Sequence, residues 1–430
     1  MSVLKTPVLS ITLTMVSVAA AVAQEVGPHG NEAEHVFAGK LDNAADGAPS
    51  YYNLGPSANV SGLSADGSVA SGYITAGPFF YWTAAGGQVF VGGIGPGDGV
   101  GGSAAISDDG ACFSGNTIDP NTQLSEMSRY HIPTGTWELL GGVGSSSGVE
   151  GSSGWGISGN GQSVVGLGWI NGGTAHAIQW IPPGPTHDLG STVANNSSRA
   201  NATNFDGSIV VGWQDNRNGR QAALWNEGMQ TLLFDNIGDP LGEASDVSGD
   251  GNWIVGQGGF GEPWRYNRST GNVDRLGVLD PNASFPSRGS TGVTDDGRTV
   301  VGFERDFSNP FGGTFGTIWI EGQGIQDLTT YAMEAGVPIP AGVQLAIPLA
   351  ISADGSTIAG LDNHFDGFII TVPEPATRSL LLSAMTLIIL GGGLRLGHSR
   401  GAGVRFRPQL DPGEEPLGGE IGVPFVESSG

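Results

Sequence analysis

Several short stretches of this 430-residue chain carry residue types that do chemistry. Gly144-Ser145-Ser146-Ser147-Gly148 has the letters of a nucleophile elbow, a motif that works on a strand-to-helix turn in an α/β sheet. Gly97-Asp98-Gly99-Val100-Gly101-Gly102 has the letters of a dinucleotide fingerprint, but no helix pattern follows it, and it reads as a loop. The turns Asp108-Asp109-Gly110, Asp250-Gly251 and Asp295-Asp296-Gly297 could offer oxygens to Ca²⁺. Because Gly159-Asn160-Gly161 fills the same role without charge, a structural turn is the leading reading, with calcium as the alternative. His29 and His35 lie six apart in a polar, Gly/Ala-rich linker and give no metal set. Cys112 is the only cysteine, so it allows no internal disulfide and reads as a small core residue. No cofactor is expected.

Those turns belong to a pattern repeated seven times. The glycines Gly67, Gly110, Gly161, Gly207, Gly251, Gly297 and Gly355 each follow Asp or Asn. Three residues earlier stand Ser64, Ser107, Ser158, Asn204, Ser248, Thr294 and Ser352. Five residues later a second glycine appears each time: Gly72, Gly115, Gly166, Gly212, Gly256, Gly302 and Gly360. Asp-Gly and Asn-Gly accept the positive φ of tight hairpin turns, and the Ser or Thr can bond the turn backbone. Adjacent apolar pairs such as Val164-Val165 and Val300-Val301 imply strands buried on both faces.

A second hairpin follows each copy. Its first strand is read as ending at Trp82, Tyr130, Trp180, Trp225, Trp264, Trp319 and Phe368, and its last strand near Leu-Gly, as in Leu189-Gly190. Four strands in about 45 residues is the length of a propeller blade. The seventh unit lacks a last strand, and Tyr51-Tyr52-Asn53-Leu54-Gly55 precedes the first unit unpaired. The expected fold is therefore an all-β, seven-bladed β-propeller whose first strand completes its last blade, with a β-solenoid or paired sandwiches as the alternatives. Closure removes the exposed sheet edges. The recurring tryptophans read as packing between blades.

Composition agrees with an exported repeat protein. Glycine reaches 75 residues, and it sits at repeated turn positions rather than aperiodically. The formal net charge of −24 argues against nucleic acid as a partner, since that binding depends on Lys and Arg meeting phosphate. Residues 1–23 read as a signal peptide, with Lys5, an apolar run from Val8 to Val22, and Ala21 and Ala23 before the cleavage point at Gln24. Residues 24–50 form a linker and 51–372 hold the repeats. Residues 373–400 form a sorting or transmembrane segment, read as one hydrophobic helix, and 401–430 a disordered Pro/Gly/Glu-rich tail. The apolar run Leu380–Leu394 with Arg395, Arg400, Arg405 and Arg407 beyond it suits a weak or transient membrane anchor. Asn116–Arg129, Glu304–Phe315 and Thr329–Pro348 break the symmetry, and a ligand site is expected at such places.

Val372-Pro373-Glu374-Pro375, the apolar run and the arginines together resemble the PEP-CTERM sorting signal of Gram-negative bacteria. That resemblance implies an exosortase-type membrane protease as partner, cleavage at the Pro-Glu-Pro site, and a place on the cell surface or in a biofilm matrix. Arg378 and the tail after Gly401 depart from the family pattern. The repeats resemble the HAF family of extracellular repeats, most closely at Ala175-His176-Ala177-Ile178-Gln179-Trp180. The expected function is a non-enzymatic surface or matrix protein that binds polysaccharide. The alternative is a secreted propeller enzyme, a glycosidase or lyase, which needs paired carboxylates at one end of the central channel.

Overall fold

The computed structural model describes residues 48–373 except 145–147, 172, 217–218, 258–261, 284–285 and 308–312. The chain divides into two units, 1–378 and 379–430, and all the described residues lie in the first. The segments read from the sequence as signal peptide, linker up to residue 47, apolar run and tail lie outside the described residues.

The fold is a seven-bladed β-propeller. After β1 (Ser50–Pro56), blade one is β2 (Ala58–Leu63), β3 (Val69–Ile74), β4 (Phe79–Thr83) and β5 (Gly87–Gly92). Blade two is β6 (Cys112–Ile118), β7 (Ser125–His131) and β8 (Thr136–Leu139). Blade three is β9 (Ser152–Ile157), β10 (Val164–Asn171), β11 (Thr174–Trp180) and β12 (His187–Gly190). Blade four is β13 (Ser198–Thr203), β14 (Ile209–Asn216), β15 (Gly219–Asn226) and β16 (Met229–Leu232). Blade five is β17 (Ala244–Val247), β18 (Trp253–Gly256), β19 (Trp264–Asn267) and β20 (Val273–Arg275). Blade six is β21 (Pro286–Val293), β22 (Thr299–Asp306), β23 (Thr314–Ile320) and β24 (Gly324–Asp327). Blade seven is β25 (Leu345–Ile351), β26 (Thr357–Asp362), β27 (Asp366–Thr371) and β1, so the first strand closes the last blade as expected. Successive inner strands touch around the ring, and β2 meets β25.

The Ser–Asp–Gly signature builds the hairpin that joins the first and second strands of a blade. In blade one Ser64 Oγ donates to Asp66 Oδ1 at 2.8 Å, Asp66 Oδ1 accepts Ser68 N, and Ser64 Oγ accepts Val69 N. The same three bonds recur at Ser107/Asp109, Ser158/Asn160, Ser248/Asp250, Thr294/Asp296 and Ser352/Asp354. Satisfying the turn donors with side-chain oxygens is what makes this motif worth repeating.

The second glycine has a different cause. In six blades a β-bulge in the neighbouring inner strand pushes a carbonyl into the space a Cβ would need, and in blade two the Trp137 ring fills the space beside Gly115. A Cβ on Gly166 would lie 1.9 Å from the Ser153 oxygen, and one on Gly212 would lie 2.0 Å from the Arg199 oxygen.

Two expectations need correction. In blades five and seven the aromatic sits two residues early. Trp264 opposes Gly256 and Phe368 opposes Gly360, whereas Trp82, Trp180 and Trp225 oppose Ala70, Val164 and Val210. Tyr266 and Ile370 take the position of those other aromatics. Both alternatives point to one face because side chains alternate with period two, so the ring fills the same layer over the glycine. In blade two the inner edge is the segment 103–107, held by Ser114 N to Ala105 O and by the bridge Ile106–Phe113. The apolar connection after blade six opens with α1 (Leu328–Glu334), capped by the Asp327 carboxylate on Thr330 N at 2.8 Å. Among the described residues no helix is long and apolar enough to cross a membrane.

Candidate functional site

The inner strands enclose a central channel with a cavity of about 350 Å³. Both of its ends are built from inner-strand termini, and they differ in chemistry.

At one end stand the residues that precede each Asp or Asn of the turns: Ala65, Asp108, Gly159, Phe205, Gly249, Asp295 and Ala353. They are stitched head to tail. Ala65 N donates to Asp108 O, Asp108 N to Gly159 O, Asn160 N to Phe205 O, and Phe205 N to Gly249 O. Gly249 N donates to Asp295 Oδ1 at 2.7 Å, Asp295 N to Ala353 O, and Ala353 N back to Ala65 O. This girdle ties all seven blades together around the channel. Burial raises the Asp108 carboxyl above the ordinary range, and the nearby Asp295 and Asp109 charges add to the shift.

The other end holds a cluster contributed by blades three, four and five. The Arg199 guanidinium lies 3.7 Å from the Trp155 ring centroid and donates to Glu243 Oε1 at 2.5 Å and Asn201 Oδ1 at 2.7 Å. Arg220 donates to Glu243 Oε2 at 2.8 Å and stacks 4.1 Å from the Trp213 ring. Asn201 donates to Glu243 Oε1 at 2.9 Å. Burial opposes ionisation of Glu243, but Arg199 and Arg220 outweigh it and hold the carboxyl below the usual range. Burial lowers Arg199 to about 10, against the pull of Glu243, so it stays charged at neutral pH. Beside them Glu150 accepts Gly101 N at 3.2 Å, and its burial raises its carboxyl. Arg199, Asn201 and Glu243 line the channel together with Trp155.

The symmetry-breaking segments reach this channel in part. Glu304–Phe315 supplies Arg305, Phe307 and Thr314, with Arg305 4.7 Å from the half-exposed Phe307 ring, and Thr329–Pro348 supplies Ile347. Asn116–Arg129 instead forms most of the β6–β7 hairpin, where buried Asn116 bonds Gly154 N and Gly101 O. The Arg199 cluster was not anticipated. Its residues come from three blades, and the one available signal was the presence of Arg199 and Arg220 in strand segments of a chain poor in basic residues.

Of the residues expected to carry sorting, Val372 is buried and donates its N–H to Ser356 O at 2.7 Å, and Pro373 is partly buried. Glu374 and Pro375 lie outside the described residues, as do Ala21, Ala23 and Gln24, Ser145–Ser147, and His29 and His35. Gly97–Gly102 is the loop from blade one to blade two, as expected. Among the described residues no three His, Cys, Asp or Glu side chains converge as a metal-binding group. The carboxylates of Asp109, Asp250 and Asp296 are occupied by their own turn backbone and a Ser or Thr hydroxyl, and Asp295 accepts Gly249 N.

No protein family and no curated protein matches the chain. Solved structures do resemble it. TolB from Acinetobacter baumannii aligns at 14% identity and TM-score 0.38, over 74% of this chain and 64% of that one, so the chain spans less than two thirds of it. An oligogalacturonate lyase in complex with manganese aligns at 12% identity and TM-score 0.47, over 75% and 93%. A chain of the mitotic checkpoint complex aligns at 15% identity and TM-score 0.46, over 86% and 99%. At such identities the likeness is one of fold.

Proposed function

We propose that this is an exported, non-enzymatic propeller of the cell surface or extracellular matrix, and that it binds polysaccharide in its central channel. The observation that carries the reading is the channel itself. Its volume of about 350 Å³ suits one or two sugar rings, and its wall mixes aromatic faces (Tyr73, Trp155, Phe303) with amide and charged groups (Asn59, Asn201, Glu243). Sugars ask for that mixture: C–H faces against rings, hydroxyls against fixed polar groups. The sorting half of the proposal rests on residues 372–400, with an exosortase-type protease as partner and a transient membrane anchor. The last described strand ends at Thr371, so a cut at the Pro-Glu-Pro site leaves every described strand in place. The protein purified from its native cells, titrated with fragments of those cells' exopolysaccharide, should bind, and Phe307→Ala should weaken binding about tenfold without changing the melting temperature. Failure to bind any glycan fraction would sink the proposal.

A second reading, a glycan-cleaving enzyme, draws support from Glu150 and Glu243. Both act electrostatically on Arg199 at one end of the channel, and their carboxyls are displaced in opposite directions. New chain ends appearing when polysaccharide is incubated with the protein, and absent with Glu150→Gln, would replace binding by catalysis.

A further inference from the structure

A second constellation lies away from the channel, on the outer strands of blade two. Cys112 and His131 are cross-strand partners on β6 and β7, with Cys112 Sγ 3.3 Å from His131 Nδ1. The other ring nitrogen, His131 Nε2, lies 3.2 Å from Glu138 Oε2 on β8. Glu138 is fixed in turn by Arg129, whose Nη2 donates to the same oxygen at 2.6 Å. All three members reach solvent in part: Cys112 is partly buried, and the His131 and Glu138 side chains are 31% and 41% exposed.

Comparison with the other blades separates scaffold from addition. The Arg129–Glu138 pair has an equivalent in blade five, Arg265–Asp274, and each arginine also donates to the turn glycine of the next blade, Gly161 or Gly297. That pair is architecture. The Cys112–His131 position is occupied by Val69–Thr83, Ile209–Asn226, Trp253–Asn267, Thr299–Ile320 and Thr357–Thr371 elsewhere. Thiol and imidazole are thus present once, set on a carboxylate that the scaffold already holds. A nucleophile within reach of a base that a third group orients is the signature of covalent chemistry.

We propose that Cys112, His131 and Glu138 form a reactive thiol relay that undergoes exchange with small disulfides. Glu138 accepts the proton on Nε2, which leaves Nδ1 as the acceptor for the thiol proton. As that proton moves to Nδ1, the sulfur attacks one sulfur of R–S–S–R. The S–S bond breaks, Cys112–S–S–R forms, and the departing thiolate takes the proton back from the imidazolium. Cys112 is oxidised to the mixed disulfide and one R–S group is reduced to the thiol. Burial pushes the Cys112 thiol up, Arg129 opposes this, and Asp109 and Glu138 reinforce it, so an unassisted thiol here would be protonated at neutral pH and slow.

The test is the rate at which the intact protein releases thione from dithiodipyridine, an uncharged disulfide chosen because the chain is acidic, measured from pH 5 to 10. Cys112 is the only cysteine, so the whole signal reports on it. The relay predicts a rate that levels across neutrality, once the imidazole is free to accept the thiol proton, and rises again only where the thiol itself ionises at alkaline pH. It also predicts at least a tenfold loss at neutral pH in His131→Gln with the melting temperature retained. Equal rates and profiles in the two proteins would overturn it. If His131→Gln does not fold, the native profile decides alone: a rate rising steadily with hydroxide across neutrality, with no levelling, removes the relay.

Discussion

Tyr51 stands directly opposite Ile370, so the first strand of the propeller pairs with its last. Tyr51 is 8% exposed and packs in the core cluster that includes Ile370, Phe368 and Leu328. Ring closure therefore depends on a strand far from its partners in sequence. Removing residues 1–47 should leave the melting temperature unchanged, because β1 remains. Removing residues through Pro56 should lower it by several degrees and promote association through the bared edge of β27. A second deletion that melts like the first would show that β1 does not hold the ring.

The bulge glycines make a sharper case. Gly166→Ala would drive a Cβ into the Ser153 carbonyl, which is backbone and cannot rotate away. The cost should reach about 3 kcal/mol, the upper range for overpacking. Gly228→Ala meets nothing within 4 Å and suffers only its φ of 80°, about 1 kcal/mol. Urea midpoints of the two variants give the comparison, and a Gly166→Ala no worse than Gly228→Ala would refute the steric account.

The fold was legible because its signals are local and repeated. Ser64, Asp66 and Gly67 make their bonds within a few residues, and the same arrangement recurs from blade to blade, so spacing alone exposes it. The registers of Trp264 and Phe368 were not legible, because positions two apart on a strand face the same way and either satisfies the pattern. The site was less legible still. Arg199, Arg220 and Glu243 meet only because β13, β15 and the start of β17 converge at one end of the channel. Cys112 and His131 come together through a hairpin register whose turn, Asp119–Leu124, carries no Asn-Gly or Asp-Gly pair to announce it.

Asp246 should make stability fall as pH rises. Its carboxyl accepts Val293 N at 3.0 Å across the blade boundary, and burial, with Asp295 adding, raises it from 3.8 to about 6. Below about pH 4 the folded and unfolded carboxyls both hold the proton, and there is no penalty. From pH 4 to 6 the unfolded chain releases it while the folded chain keeps it, so stability is lost through that window and stays lost above it. The full shift would cost about 3 kcal/mol, and partial exposure to the channel trims this to about 2 kcal/mol. Asp246→Asn should then be more stable than the native protein at pH 7.5 and lose the advantage by pH 4. Urea unfolding at both values checks it, and a variant less stable at pH 7.5 contradicts the sign.

Glu243 separates buried from surface electrostatics. Its carboxylate is the shared anion of two guanidiniums, with side chains 6%, 10% and 18% exposed for Arg199, Glu243 and Arg220. Glu243→Gln leaves both cations without their counter-charge in a desolvated site, a loss of about 3–5 kcal/mol. Arg298 and Glu321 make an ion pair at 3.3 Å with side chains 69% and 48% exposed. Breaking it with Arg298→Ala should cost under about 1 kcal/mol and nothing in high salt. Denaturant titrations of both variants at low and high salt read the difference. Should Glu243→Gln prove no more damaging than Arg298→Ala, the two arginines do not need Glu243 for folding, and their charge would be free to meet a ligand in the channel.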